Sequence, residues 1–400
     1  MNKLFCLLLL CITVMARAQT YDPPTRVLTL PTVSVAGATY TDVLLLLKDI
    51  ELVSLGEPPA TSVSYDVDSR ILALPTVSIT GTSYQHVYIK LNDVELVSIG
   101  APPSRIYVNL VSHNEDTATG SNADCLAFFS AADQQYNANS AALEAIVQTV
   151  RDKRATFNFQ SDVEYLNLVL ARETAQNNVL RRLATGYPGT LEIDAHAHET
   201  VQKNYADVAN LVERVAGVRT GIVGGFTAVS CRPGTAAPVW DKFRIPLAPA
   251  AGQGTAFNAT ALTLGASAGH VCDPDVAGIW RPAAVDNFFT DDPAQSLIAI
   301  GTGYAAKDLT EAATAVARLV ADLKAGKLEP NRMYTASVTL SHCNMHLSGR
   351  GATAADVATF IDTVNALDDA TDFVRWATFS QMADIWKTSY AKKPSIWRGP

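Results

Sequence analysis

Basic residues are scarce: 31 Lys and Arg stand against 39 Asp and Glu, a net charge of −8, and no Lys/Arg-rich run occurs. A phosphate-backbone binder needs a concentrated positive footprint, so this balance speaks against nucleic acid as a partner. No Gly-rich loop followed by Lys is present, which removes nucleotide chemistry of the phosphate-cradling kind. Beyond the first residues no apolar run approaches the ~20 residues needed to span a bilayer. Charged residues make up only 18% of the chain and apolar ones 48%, too little charge for a disordered chain and enough apolar material for sizeable cores.

The N-terminus carries an address. Lys3, the apolar stretch Leu4 to Val14 and then Ala16-Arg17-Ala18 have the layout of a secretory signal peptide cut before Gln19. Residues 1–18 are therefore expected to be removed, and the remainder to be secreted or periplasmic. Cysteine is sparse, and Cys6 and Cys11 fall inside this segment, leaving Cys125, Cys231, Cys272 and Cys343. An oxidising compartment permits disulfides, and Cys231 with Cys272, flanking one long irregular segment, is the favoured pair.

Residues 26–56 and 70–100 are copies of each other, from Arg26 and Arg70 to Gly56 and Gly100. Alternating β-branched and polar residues predict a small antiparallel β module in each, and one copy buries too little apolar surface to fold alone. Pro58-Pro59 and Pro102-Pro103 end the copies in extended linkers. The expected organisation is two β repeats within 19–104 and a second domain over 105–400. In the second domain strand-like runs (106–111, 155–159, 190–197) alternate with helical ones (140–153, 163–170, 206–215), the grammar of parallel strands with crossover helices. Residues 228–295, rich in Gly, Ala and Pro, read as long loops over one face.

Six of the seven histidines lie in that second domain. Asp194-Ala195-His196-Ala197-His198 ends an apolar run, so strand geometry sets Asp194, His196 and His198 on one face, and two imidazoles two residues apart can reach one Zn²⁺. The apolar strand 106–111 leads into Ser112-His113-Asn114-Glu115-Asp116, and the strand 337–341 into His342. In barrel enzymes such strand ends collect the active site. Asp162 follows another strand end and is a candidate for substrate binding.

The order of these segments resembles the polysaccharide deacetylase (NodB-homology) superfamily of metal-dependent carbohydrate esterases. Glu115-Asp116 stands where that family has its acidic pair, Arg154-Ala155-Thr156-Phe157 resembles its second strand, and Leu191-Glu192-Ile193 before His196 resembles its metal-binding His motif. Arg219-Thr220-Gly221 resembles its Arg loop, and Leu340-Ser341-His342 resembles its last strand, with Cys343 in place of the usual Asp. The resemblance implies an α/β fold, a distorted (β/α) barrel preceded by the small all-β repeat region. It also implies a divalent metal, Zn²⁺ being the expected one, held by Asp116, His196 and His198. Glu115 would be the general base, His342 the general acid, and Arg219 a substrate-site residue. The substrate implied is a polysaccharide or other acylated glycan. Two alternatives stand beside it: a glycoside hydrolase using paired carboxylates among Glu115, Asp162 and Glu199, and a non-catalytic glycan-binding surface protein.

Overall fold

The computed structural model describes residues 19–36, 38–98, 100, 103–114, 133–196, 204–219, 221–226, 259–264, 275–284, 287–306, 308–341, 352–368 and 373–399. The chain divides into two compact units, Met1–Pro102 and Pro103–Pro400.

The first unit is all β: β1 (Gln19–Asp22), β2 (Val27–Val35), β3 (Ala38–Leu55), β4 (Ser64–Asp66), β5 (Ile71–Ile79) and β6 (Thr82–Ser98). The strand order is β1-β2-β3-β6-β5-β4, and β1 also pairs β5 while β4 also pairs β2. The path β1-β2-β3-β6-β5 therefore returns to β1 and closes a five-stranded barrel. The short strands β1 and β4, which precede the two copies, each pair both with the copy that follows and with the other one. Closure removes exposed sheet edges. Equivalent residues of the two copies share one core, Leu28, Leu30, Val33, Val43 and Leu47 meeting Leu72, Leu74, Val77, Val87 and Leu91. Backbone conformation repeats as well, with positive φ at Arg26 and Arg70 and again at Asp42 and His86.

The second unit alternates strand and helix. Its elements run β7 (Arg105–Asn114), α1 (Asp133–Asp152), β8 (Phe157–Ser161), α2 (Val163–Arg172), α3 (Val179–Gly186), β9 (Leu191–His196), α4 (Tyr205–Ala216), β10 (Ile222–Phe226) and β11 (Ala261–Leu264). Then follow β12 (Val276–Ala277), β13 (Ile279–Trp280), β14 (Ile298–Ile300), α5 (Leu309–Lys324), β15 (Met333–Ser341), α6 (Ala354–Asn365), β16 (Val374–Trp376), α7 (Phe379–Thr388) and β17 (Trp397–Arg398). The main sheet has the order β13-β14-β11-β10-β9-β8-β7-β15, with β16 also on β7. Its strands from β14 to β15 run parallel, and only β13 runs antiparallel to its neighbour. At the two ends of this order the Ser337 N–H of β15 donates to Thr302 O, just beyond β14, at 2.9 Å.

Side-chain alternation gives the sheet two unlike faces. Ile106, Val108, Leu110, Phe157, Phe159, Leu191, Ile193 and Val223 pack with the helices, against Leu143, Ile146 and Val147 of α1 and Val208 and Val212 of α4. On the opposite face Tyr107, Val111, Ile222, Ala261, Ile298 and Met333 meet Phe379, Met382 and Trp386 of α7. That second face is apolar where α7 lies on it. Toward the carboxyl ends of β7, β8 and β9 it turns polar, and there the site lies.

Candidate functional site

The alternation that sends Phe157 and Phe159 to the helices turns Asn158 and Gln160 to the inner face, and the same parity on β9 turns Asp194 and His196 there. On β7 the inner series Tyr107, Val111 ends in His113. His113, Asn158, Gln160, Asp194 and His196 are all buried. The parallel register aligns His113 with Gln160 and Gln160 with Asp194. The rings of His113 and His196 lie 4.3 Å apart between centroids, with planes tilted by 36°. They come from β7 and β9, with β8 between, so they meet across the inner face rather than as strand neighbours.

Hydrogen bonds fix the polar groups beneath them. Asn158 Nδ2 donates to Asp194 Oδ2. Gln160 Nε2 donates to Thr263 Oγ1 of β11 at 3.0 Å. On the other face Asn114 Nδ2 donates to Gln160 O at 2.7 Å and ties the ends of β7 and β8 together. Two buried imidazoles this close repel if both become imidazolium, so the pair suits lone-pair donation to a cation or the passage of one proton. The Asp194 carboxylate lies on the same face, and His and Asp are residue types able to hold a divalent cation. Among the described residues no three His, Cys, Asp or Glu side chains converge closely enough to hold a metal ion.

The expected site residues distribute as follows. His196 sits at the carboxyl end of β9, buried and against His113. Glu115, Asp116, His198, His342, Cys231 and Cys272 lie outside the described residues. Asn114 and Ser341 immediately precede Glu115 and His342 in the sequence, and Ser341 is in register with His113. Asp162 has a different task from the expected one: its Oδ1 accepts the Glu164 N–H at 3.2 Å and caps α2. That use also weakens the glycoside hydrolase alternative, which counted Asp162 among its carboxylates. Arg219 is a correction as well. The register pairs Val223 with Ala195, so Arg219, four residues earlier, lies at the amino end of β10, opposite to the end that carries His196. Its guanidinium faces Glu213 of α4 at 3.5 Å on the exposed surface.

Sequence reading passed over Asn158, Gln160 and Thr263. The signal was present in Phe157-Asn158-Phe159-Gln160, where a strand buried on both faces carries amides on one of them. In the first unit, a depression of about 280 Å³ is lined by aliphatic residues such as Leu30, Val33, Leu91 and Leu96, with Tyr40 and Tyr65 the only polar-tipped members. Such a lining offers little to sugar hydroxyls.

Glu192, on the inner face at the amino end of β9, accepts the Ser380 N–H in the first turn of α7 at 3.2 and 3.3 Å. Burial pushes its carboxyl above the usual range, partly offset by hydrogen bonds from Ser380, Thr378 and the Phe379 backbone. A carboxyl with a raised folded-state value binds its proton more tightly in the folded chain, so stability falls as pH rises from the ordinary value through the raised one. Glu192→Gln removes that slope and keeps an acceptor for Ser380. Thermal melts across about pH 4 to 7 should show the variant gaining on the wild type as pH rises, and parallel curves would refute the account.

Among the described residues no helix is long and apolar enough to cross a membrane. No family model matches the chain, and no curated protein does. Among solved structures the chain is similar to one described as a "putative polysaccharide deacetylase" from Mycobacterium smegmatis, at a TM-score of 0.40 and 14% identity, over 74% of this chain and 95% of that one.

Proposed function

We propose that the protein is a secreted, metal-dependent hydrolase of the polysaccharide deacetylase type, which removes acyl groups, acetyl foremost, from a glycan on a distorted (β/α) barrel. The observation that supports this reading best is the buried pair His113 and His196, 4.3 Å apart at the carboxyl ends of β7 and β9, with Asp194 on the same face. Neither a glycosidase carboxylate pair nor a passive binding face calls for two imidazoles in contact.

In this reading Asp116, His196 and His198 hold a divalent metal, Zn²⁺, which supplies Lewis acidity at the acyl carbonyl. Glu115 takes the proton of the attacking water as general base. His342 gives a proton to the departing amine or hydroxyl. Asn158, by donating to Asp194, keeps that carboxylate aligned on the inner face beside the imidazoles. The test is direct: the purified chain, supplied with Zn²⁺, is incubated with N-acetylated and O-acetylated glycans, and free acetate is measured. Acetate release that a chelator abolishes is the expected result. Cleavage to new reducing ends without acetate, or no turnover at all, would overturn the reading.

A further inference from the structure

Gln160 stands on β8, yet its side chain ends on β11, where Nε2 reaches Thr263 Oγ1 at 3.0 Å. Its amide lies against β10, which β9, the strand of Asp194 and His196, separates from β8 in the sheet. The space it fills there is the one a side chain at position 224 would need, since a Cβ on Gly224 would come within 1.7 Å of Gln160 Oε1. Gly224 is the residue in register with His196. Thr263 completes the link by donating to Val223 O at 3.4 Å, on the residue before Gly224. Because the Thr263 proton is used in that way, its oxygen accepts from Gln160, which fixes the amide with nitrogen toward β11 and oxygen over Gly224. Gln160 is fully buried, as is His196, and Thr263 is nearly so.

We propose that Gln160 is a positioning residue for His196: with Thr263 and the bare backbone of Gly224 it forms a brace across four strands that sets the strand beside His196 and so the spacing of the two imidazoles. In its bearing on catalysis the inference rests on the hydrolase reading above. It assigns a function to three residues that form neither the acid–base nor the metal-binding set. It also explains why a glycine occurs in the middle of a buried strand, where glycine otherwise weakens structure.

The test uses the full chain, four single variants and one double variant. Gln160→Met removes the amide at similar volume, and Gly224→Ala displaces the amide without touching its partners. Thr263→Val deletes the hydroxyl, and Thr263→Ser restores it. The His113 and His196 ring signals in ¹H–¹⁵N spectra report imidazole geometry without any assay, and kcat and KM on an acylated glycan report its consequence. Expected are shifted ring signals and a kcat lowered about tenfold or more at little-changed KM in Gln160→Met, Gly224→Ala and Thr263→Val. Thr263→Ser should match the wild type, and Gln160→Met with Gly224→Ala should cost no more than either alone, because both break one brace. Wild-type ring signals in Gly224→Ala and Thr263→Val, or additive losses in the double variant, would overturn the proposal. Should Gln160→Met fail to fold, those two variants decide it. A wild-type chain that hydrolyses no acylated glycan defeats the hydrolase reading alone, since the ring signals still decide for or against the brace.

Discussion

His196→Ala should reduce acyl release about 10³-fold or more. A group that acts at the reacting centre, through a metal or through a proton, supplies several kcal/mol that no neighbour replaces, and each ~1.4 kcal/mol lost is tenfold in rate. His113→Ala should fall in the same direction, because the two rings meet as one tilted pair with centroids 4.3 Å apart. Both rings are buried, so their removal also leaves cavities, and near-ultraviolet circular dichroism must show that the variants keep their tertiary packing. Measurement of acetate release beside those spectra separates lost chemistry from lost structure. Undiminished release by folded His196→Ala would remove that residue, and the metal set built on it, from the mechanism.

Gly278→Ala should be the most destabilising single methyl in the second unit. Gly278 lies between β12 and β13 with φ at +129°, a conformation that residues with a Cβ rarely adopt. The added carbon would stand 2.1 Å from Ser395 O, a backbone atom that cannot simply swing away. Ser395 is held where the C-terminal segment crosses the sheet, its N–H donating to Ile279 O and its hydroxyl accepting from Ile279 N, each at 3.0 Å, while that hydroxyl also bonds Met333 O. Gly278 N itself donates to Thr335 Oγ1 at 2.9 Å. To admit the methyl, the crossing must open and these bonds must lengthen together. A cost of about 4 kcal/mol or more follows, which at this size lowers Tm by roughly 10 °C. A melting temperature within a degree or two of wild type would show that the segment yields freely.

Much of this architecture could be read from the sequence, and the parts that could not share a physical reason. The duplication was plain because 31 residues repeat with the same alternation. The way the copies join was not, because the short strands β1 and β4 carry too few residues to announce a partner, and only three-dimensional closure gives each a second partner in the opposite copy. In the second unit β7, β8 and β9 were legible as strand-like runs, and the strand at 191–196 gave His196 its inward direction through parity alone. Arg219 misled because a loop before a strand and a loop after it look alike in one dimension, whereas parallel pairing puts them at opposite ends of the sheet. Asp162 misled because a carboxylate after a strand is equally the start of a helix, and here it caps α2. The amides of Asn158 and Gln160 were passed over because their partners, Asp194 and Thr263, are 36 and 103 residues away.

The double pairing of β1 and β4 has a bearing on how such a fold can arise or be cut down. A chain reduced to a single copy would keep its short strand paired to its own hairpin, but the strand's other edge would have no partner within its own molecule. Two such molecules, each offering that edge to the other, would rebuild the same ring as a dimer, so the tandem arrangement amounts to that dimer fused into one polypeptide.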